Sequence, residues 1–223
     1  MTPDHSLYAD KSHAYFEFPR MEIAPLLPDR IDRVLEIACG DGATCKWLRA
    51  HGTVRYAVGI DLMPDAAGRA ESVFDVALSG NVETMEFPAG TFDLILALDV
   101  LEHLIDPWQV VRRLQTMLNP GGTMIVSIPN ITHYSICIPM FLRGQWSYTD
   151  EGLLDRTHLR FFTRRTAVDL VTGSGLVMDK MMCVQRGPRF LSARARWYSL
   201  KLLSWALPDH LLDWQFLIRV KTA

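Results

Sequence analysis

VLEIACGDG, running from Val34 to Gly42, sets a short apolar strand directly against a glycine-rich turn. Val34 to Ala38 reads as a buried strand. Ala38, Gly40 and Gly42 are small where the chain must turn, so a ligand can lie against the backbone with no Cβ in between. Ala43 to Ala50 reads as a helix whose first turn offers unpaired N–H groups. Nineteen residues past Gly42, Asp61 closes a second β-rich run, Val54 to Ile60. Strand, small-residue turn, helix, and a second strand ending in an acid is the layout by which open parallel sheets hold a nucleotide ribose.

The alternation continues outward from that unit. Pro64 to Val73 reads as a helix with Pro64 and Asp65 in its first turn, and Phe74 to Leu78 as a weaker strand. FDLILAL, Phe92 to Leu98, is an apolar run of the kind covered on both faces. Asp106 to Leu118 places Val110, Val111, Leu114 and Met117 at helical spacing, and Asn119-Pro120-Gly121-Gly122 is expected to end that helix before a strand at Thr123 to Ile128. This order predicts an α/β fold with a mostly parallel sheet. Regularity weakens after Pro129, and Arg143 to Phe162 shows no period, as expected of a functional loop. A helix at Arg164 to Gly173 and strands at Leu176 to Val184 and Trp214 to Val220 complete the pattern, with an amphipathic helix at Phe190 to Leu207.

Length and composition narrow the class. At 223 residues the chain fits a single domain, and at 49% hydrophobic and 22% charged it has the balance of a soluble globular protein. A formal net charge of −2 gives no basic excess, which argues against a nucleic-acid partner. Cys39, Cys45, Cys137 and Cys183 form no CxxC pair, so reduced, mostly buried thiols are expected. The first ten residues are polar and lack a signal-peptide core, and no run reaches the ~18 apolar residues of a membrane span. A cytoplasmic location is the expectation. The domain divides into an N-terminal cover (1–30), a nucleotide-binding core (31–130), a loop or lid over the ligand (131–163) and C-terminal helices and strands (164–223).

The charge at the turn discriminates between nucleotides. Ala38-x-Gly40-x-x-Ala43 is a degraded dinucleotide fingerprint, which keeps NAD and an oxidoreductase as an alternative. A pyrophosphate favours positive potential there, whereas Glu36 and Asp41 are acidic. The sulfonium and ammonium of S-adenosylmethionine suit those carboxylates.

On these residues the chain resembles class I S-adenosylmethionine-dependent methyltransferases. VLEIACGDG is similar to their first motif, with Ala38 in place of the commonest glycine and Cys39 beside it. Asp61 in GIDLMP resembles the acid on the adenosine ribose, with Leu62 next to it. GNVE, including Asn81 and Val82, resembles the segment over the adenine, with Asn81 where an aspartate is usual. FDLILALDVLEHLIDP, including Leu98, resembles the strand and turn under the methionine moiety, and LNPGGTMIVSIPN the next helix end and strand. YFEFPR is similar to an N-terminal segment folding over the donor, which would bring Tyr15 and Arg20 to it. The resemblance implies a Rossmann-like, doubly wound, seven-stranded sheet whose last strand is antiparallel, and S-adenosylmethionine as donor with S-adenosylhomocysteine as product.

The acceptor side is read from the residues after the fourth strand. His103, in Asp99-Val100-Leu101-Glu102-His103-Leu104, is a candidate to orient the donor or act as a base, with a structural hydrogen bond as its other role. His133, Tyr134, Trp146, Tyr148 and Arg156 gather aromatic and titratable groups on the irregular stretch and are the candidate acceptor contacts. His158 in DRTHLRFFT, with Asp155 nearby, is the first candidate for a general base, against a purely structural role for the loop's ion pairs. No metal is expected. The second half also resembles methyltransferases of bacterial glycan and cell-envelope biosynthesis, implying a sugar hydroxyl acceptor. Ubiquinone and other phenol O-methyltransferases share LEHL and imply a phenolic one, and N-methylation of a small molecule is a further alternative. A non-catalytic donor-binding partner is another class. Arg194, Arg196, Trp197 and Trp205 suit either a core-facing helix or peripheral contact with a membrane or lipid-linked substrate.

Overall fold

The computed structural model describes residues 18–52, 54–185 and 207–222, and residue names below refer to these. After a short 3-10 turn, Met21–Leu26, the strands are β1 (Arg33–Ile37), β2 (Tyr56–Asp61), β3 (Val76–Ser79), β4 (Phe92–Leu98), β5 (Leu118–Pro129), β6 (Val177–Gln185) and β7 (Asp213–Lys221). The helices are α1 (Ala43–His51), α2 (Pro64–Ala70), α3 (Pro107–Gln115), α4 (Tyr134–Arg143) and α5 (Arg164–Thr172). One sheet takes the order β3-β2-β1-β4-β5-β7-β6. β1 to β5 pair in parallel, and β7 runs antiparallel between β5 and β6. The expected seven-stranded, doubly wound sheet with an antiparallel last strand is what the chain forms.

Alternation along the strands explains the two-sided core. Leu35 and Ile37 of β1 and Ile95 and Ala97 of β4 face the layer of Val110, Leu114, Leu170 and Val171 from α3 and α5. Val34, Leu94 and Leu96 face the opposite layer, with Cys45 and Leu48 of α1 and Ile23 and Leu26 of the first turn. A strand buried on both faces has no polar side to show, which is why FDLILAL reads as continuous.

Three elements depart from expectation. α2 ends at Ala70, and Phe74 packs rather than starting β3. A Cβ on Gly42 would stand 2.9 Å from the Phe74 ring and one on Gly59 2.7 Å, so both glycines make room for it. Asn119 to Gly122 lie within β5 instead of preceding it; there the β4–β5 register shifts, and Gly121 takes φ 75°. α4 occupies part of the stretch expected to be irregular. It buries none of its side chains, and its unbroken apolar run, Ile136 to Leu142 with Pro139 inside, shows no helical period. Its ends are fixed instead by His133, whose side chain accepts from the Ser135 amide, and by Gly144 at φ 62°. Tyr15 and the predicted helix at Phe190 to Leu207, with Arg194, Arg196, Trp197 and Trp205, fall outside the described residues, Leu207 excepted.

Candidate active site

A cleft of about 520 Å³ opens at the carboxyl ends of the parallel strands, where the sheet order reverses between β1 and β4 and ligands bind in such folds. Its inner wall is the turn after β1. Ala38 (φ 53°), Gly40 (φ 53°) and Gly42 (φ 80°) are all left-handed. The alanine therefore carries strain of about 1–2 kcal/mol that the glycine usual in the resembling motif would not. Asp61, at the end of β2 and 6% exposed, fastens this turn. Its Oδ2 accepts from the Gly40 amide at 2.8 Å, and its Oδ1 from the Met63 amide at 2.9 Å. Burial is the main cause raising its pKa, and those two bonds oppose it.

Glu36, 4% exposed, lines the same wall, and its Oε2 has no hydrogen-bond partner among the described residues. Burial pushes its carboxyl up to about 8. Asp41, the other acid of the turn, instead pairs with Arg69 of α2 at 2.8 Å. A buried carboxylate oxygen facing a cleft without a partner fits a cationic ligand, and a second buried acid with spare lone pairs fits a diol. A pyrophosphate fits neither.

Cys39, Leu62, Val82, Leu98 and Asn81 also line the cleft. Asn81 uses its amide oxygen to accept from the Glu83 amide at 2.9 Å, which shapes the turn after β3. Arg113 of α3 holds that turn from behind, donating to the carbonyls of Val82 (2.8 Å), Glu83 (3.1 Å) and Met85. Gly42 lies behind the wall, against Phe74, and so acts on the cleft through packing.

At the other end, Asp99 follows β4 at φ 52°, another left-handed position for a residue with a Cβ. Several hydrogen bonds hold it there. Its carboxylate accepts from Arg20, from Gln215 of β7 and from the Ser127 hydroxyl, the last at 2.8 Å, and its amide donates to that hydroxyl at 2.9 Å. Arg20 also pairs with Glu22 and donates to Gln215 at 3.1 Å. The expected contribution of Arg20 to the cleft wall thus comes with an ion-pair network that a sequence reading misses.

His103 and His158 both line the cleft. His103 Nδ1 stands 3.1 Å from the Thr157 carbonyl, and His158 Nδ1 stands 3.2 Å from the Leu153 carbonyl. Burial, then the neighbouring His158, lowers the His103 pKa to about 4. Asp155 accepts from the amide and hydroxyl of Thr157 at 2.9 and 2.7 Å, and its backbone carbonyl accepts from the His158 amide at 3.0 Å. It thereby shapes the turn that carries His158. The side chain facing His158 Nε2, at 3.9 Å, is Glu102. Glu102 is 1% exposed, has no hydrogen bond to either carboxylate oxygen among the described residues, and has its pKa raised by burial and by Asp99. Its backbone carbonyl accepts from the amides of Leu159 and Arg160 at 2.8 and 2.9 Å, which pins the His158 loop to the end of β4. Glu102, His103 and His158 bring one ligand atom each within 4.8 Å of one another, a donor set able to hold a cation. Glu102 was visible in LEHL, but its burial was not.

The five candidate acceptor contacts lie elsewhere than on the cleft wall. His133 caps α4 and packs its ring on Tyr134 and Trp214, at 4.3 and 5.1 Å between centroids. Trp146 packs on Phe161 and Tyr148, at 5.2 and 6.4 Å. Arg156 faces Asp150 across 3.5 Å, both side chains being mostly exposed. Sequence proximity on one loop placed them together, but Tyr134 opens α4 against His133, while Trp146 and Tyr148 follow its end and pack on Phe161 and on each other. The outer wall is made instead by Phe18, Glu151, Gly152, Leu153 and Trp214. Gly152 (φ 92°) lies flat on Trp214, its missing Cβ 3.6 Å from the indole.

A sheet of this order, with an acid-lined cleft at the carboxyl ends of β1, β2 and β4, is the class I methyltransferase architecture. The chain belongs to the methyltransferase domain family, whose model matches residues 11–180; the donor of this class is S-adenosylmethionine, and NAD is set aside. It is 36% identical over 112 residues to a ubiquinone biosynthesis O-methyltransferase of Azorhizobium caulinodans, a match covering 48% of this chain and 44% of that protein. The chain spans about half the length of the curated relatives it matches. Its fold is similar to a SAM-dependent methyltransferase from Archaeoglobus fulgidus, with a TM-score of 0.67, 16% identity and 98% and 97% of the two chains covered. It is also similar to the N-methyltransferase NodS from Bradyrhizobium japonicum, solved with S-adenosyl-L-homocysteine, with a TM-score of 0.55, 19% identity and 94% and 85% covered.

Proposed function

We propose that the protein transfers a methyl group from S-adenosylmethionine to a hydroxyl oxygen of a small or glycan-linked acceptor. The observation that carries this reading is one cleft lined both by Glu36, whose Oε2 has no partner among the described residues, and by His158 beside Glu102. Bound S-adenosylmethionine supplies a methyl group on a positively charged sulfur, open to in-line displacement by an acceptor oxygen.

The chain's own residues do the rest. Glu36 takes the donor's ammonium, giving up its proton as it does so. Asp61 accepts from the ribose hydroxyls with the lone pairs left by the Gly40 and Met63 amides. Ala38, Cys39 and Gly40 present backbone to the donor, Leu62, Asn81 and Val82 border the adenine, and Leu98 and Arg20 border the methionine part. His158 receives the acceptor's hydroxyl proton at Nε2, since its Nδ1 faces a carbonyl. His103, held neutral by burial, packs against that ring and fixes its plane. Holding two reactants in line supplies much of the rate, and a base adds typically ~10²–10⁴-fold when a proton must leave.

A phenolic acceptor is the second reading, favoured by relatives named ubiquinone biosynthesis O-methyltransferase. Transfer of labelled methyl from S-adenosylmethionine into fractionated cell extract tests both. Label in saccharide or lipid-linked saccharide supports the first reading, and label in the quinone fraction supports the second. Donor binding with no label in any fraction would defeat both.

A further inference from the structure

We propose that α4 is a docking surface for an anionic lipid bilayer. The helix persists without burying a side chain, and every residue from Met140 to Asp150 is exposed. Phe141 is 87% exposed and Leu142 70%, with Ile138 and Met140 above 40%. Side chains of this kind gain most by leaving water together, and a helix lying in a membrane interface does that with one face. Trp146 and Tyr148 stand next in the chain, in edge contact and partly exposed. Such rings, with an apolar body and a polar tip, prefer the headgroup level.

Charge selects a lipid surface over a protein groove. From Leu114 to Thr149 the chain carries one charged Lys, Arg, Asp or Glu side chain, Arg143, at the end of α4. The apolar face thus has Arg143 beside it, and the first acid after it, Asp150, faces Arg156 at 3.5 Å, which leaves Arg143 as the net charge and suits a negatively charged bilayer. The composition of the chain between β6 and β7 points the same way. Gln185 pairs with Asp213, and the next residue, Trp214, packs on His133, the cap of α4. Between Gln185 and Leu207 the sequence carries Arg186, Arg189, Arg194, Arg196 and Lys201 and no acid. The docking surface itself is α4 with Trp146 and Tyr148. Trp214 also lines the cleft, so a docked α4 sets the cleft mouth beside the bilayer. The benefit of that placement to a lipid-linked acceptor rests on the proposed methyl transfer, whereas the docking does not.

Vesicle flotation of the full chain tests the surface, using phosphatidylcholine vesicles with and without about one-third phosphatidylglycerol. The protein should float with the anionic vesicles and much less with the neutral ones. The double variant Phe141→Ser, Leu142→Ser should bind at least about tenfold more weakly, with its melting temperature and S-adenosylhomocysteine affinity unchanged. Arg143→Glu should weaken binding to the anionic vesicles alone. The proposal is overturned if the unaltered protein floats with neither vesicle, or if the double variant floats as well as it does. It is equally overturned if light scattering shows a dimer that the double variant abolishes while vesicle binding is absent. Flotation needs no turnover, so failure of the methyl-transfer reading would leave this result standing.

Discussion

The imidazole rings of His103 and His158 meet edge to face in the cleft wall, their centroids 4.7 Å apart. Each points Nδ1 at a backbone carbonyl, of Thr157 and Leu153 respectively. Bonds of that kind assign the proton to Nδ1 and leave Nε2 as the basic atom. His158→Gln should therefore lower kcat by about 100-fold or more, with little change in KM for the donor. Steady-state transfer of labelled methyl reads both constants, and full turnover in the variant would remove His158 as the base.

His103 should shape the acid limb of stability. Its pKa falls from the ordinary 6.5 to about 4 in the folded chain, chiefly through burial. The unfolded chain then binds the extra proton between those values, so the contribution is complete above pH 6.5 and lost as pH falls toward 4. The effect is on the order of 3 kcal/mol at most. His103→Gln should flatten the decline in melting temperature across that window.

Glu36 acts in the opposite sense. Its folded pKa, about 8, lies above the ordinary 4.5 of a glutamate. Its contribution to the ligand-free protein is complete below pH 4.5 and lost as pH rises through 8. Donor affinity should rise over the same interval, because the carboxyl must be ionised to receive an ammonium. Titration calorimetry of S-adenosylhomocysteine in buffers of different ionisation enthalpy should detect the released proton, and Glu36→Gln should abolish it.

The turn after β1 offers a stability test. Gly42→Ala introduces a Cβ at φ 80° and 2.9 Å from Phe74. Strain and overpacking together should cost about 2–4 kcal/mol, read as a lower denaturation midpoint. Trimming the ring with Phe74→Leu in the same chain should recover part of the loss.

Asp61→Ala removes the acceptor for two amides as well as the proposed ribose contact. Affinity for S-adenosylhomocysteine should fall by about 1–3 kcal/mol, with a drop in melting temperature. Asp61→Asn, which keeps one acceptor oxygen, should lie between. Unchanged affinity in the alanine variant would defeat the assignment.

These residues also show what a sequence discloses. Val34 to Gly42 and Asp61 were legible because turn chemistry and strand length are local. β4 was legible because burial on both faces leaves an unbroken apolar run. α4 was not, because Ile136 to Leu142 is an unbroken apolar run with Pro139 inside it, which shows no helical period. Glu102, Asp99 and Gln215 were hidden for another reason: their roles depend on neighbours more than 50 residues away, such as His158 for Glu102 and Arg20 for Asp99. His133, Trp146 and Arg156 had the right chemistry for a pocket, but the path of the chain after Pro129 decided which way they faced.

The bonds on Asp99 join residues 20, 99, 127 and 215, and the strand bearing Gln215 lies between β5 and β6. A nascent chain emerging from the ribosome therefore exposes the donor turn long before the cleft can close. Until β7 slots into its gap, Asp99 lacks Gln215, and β5 and β6 each have an open edge. Competence for ligand should arrive abruptly and late in synthesis, so a chain stalled before Asp213 would be a half-built sheet awaiting its keystone.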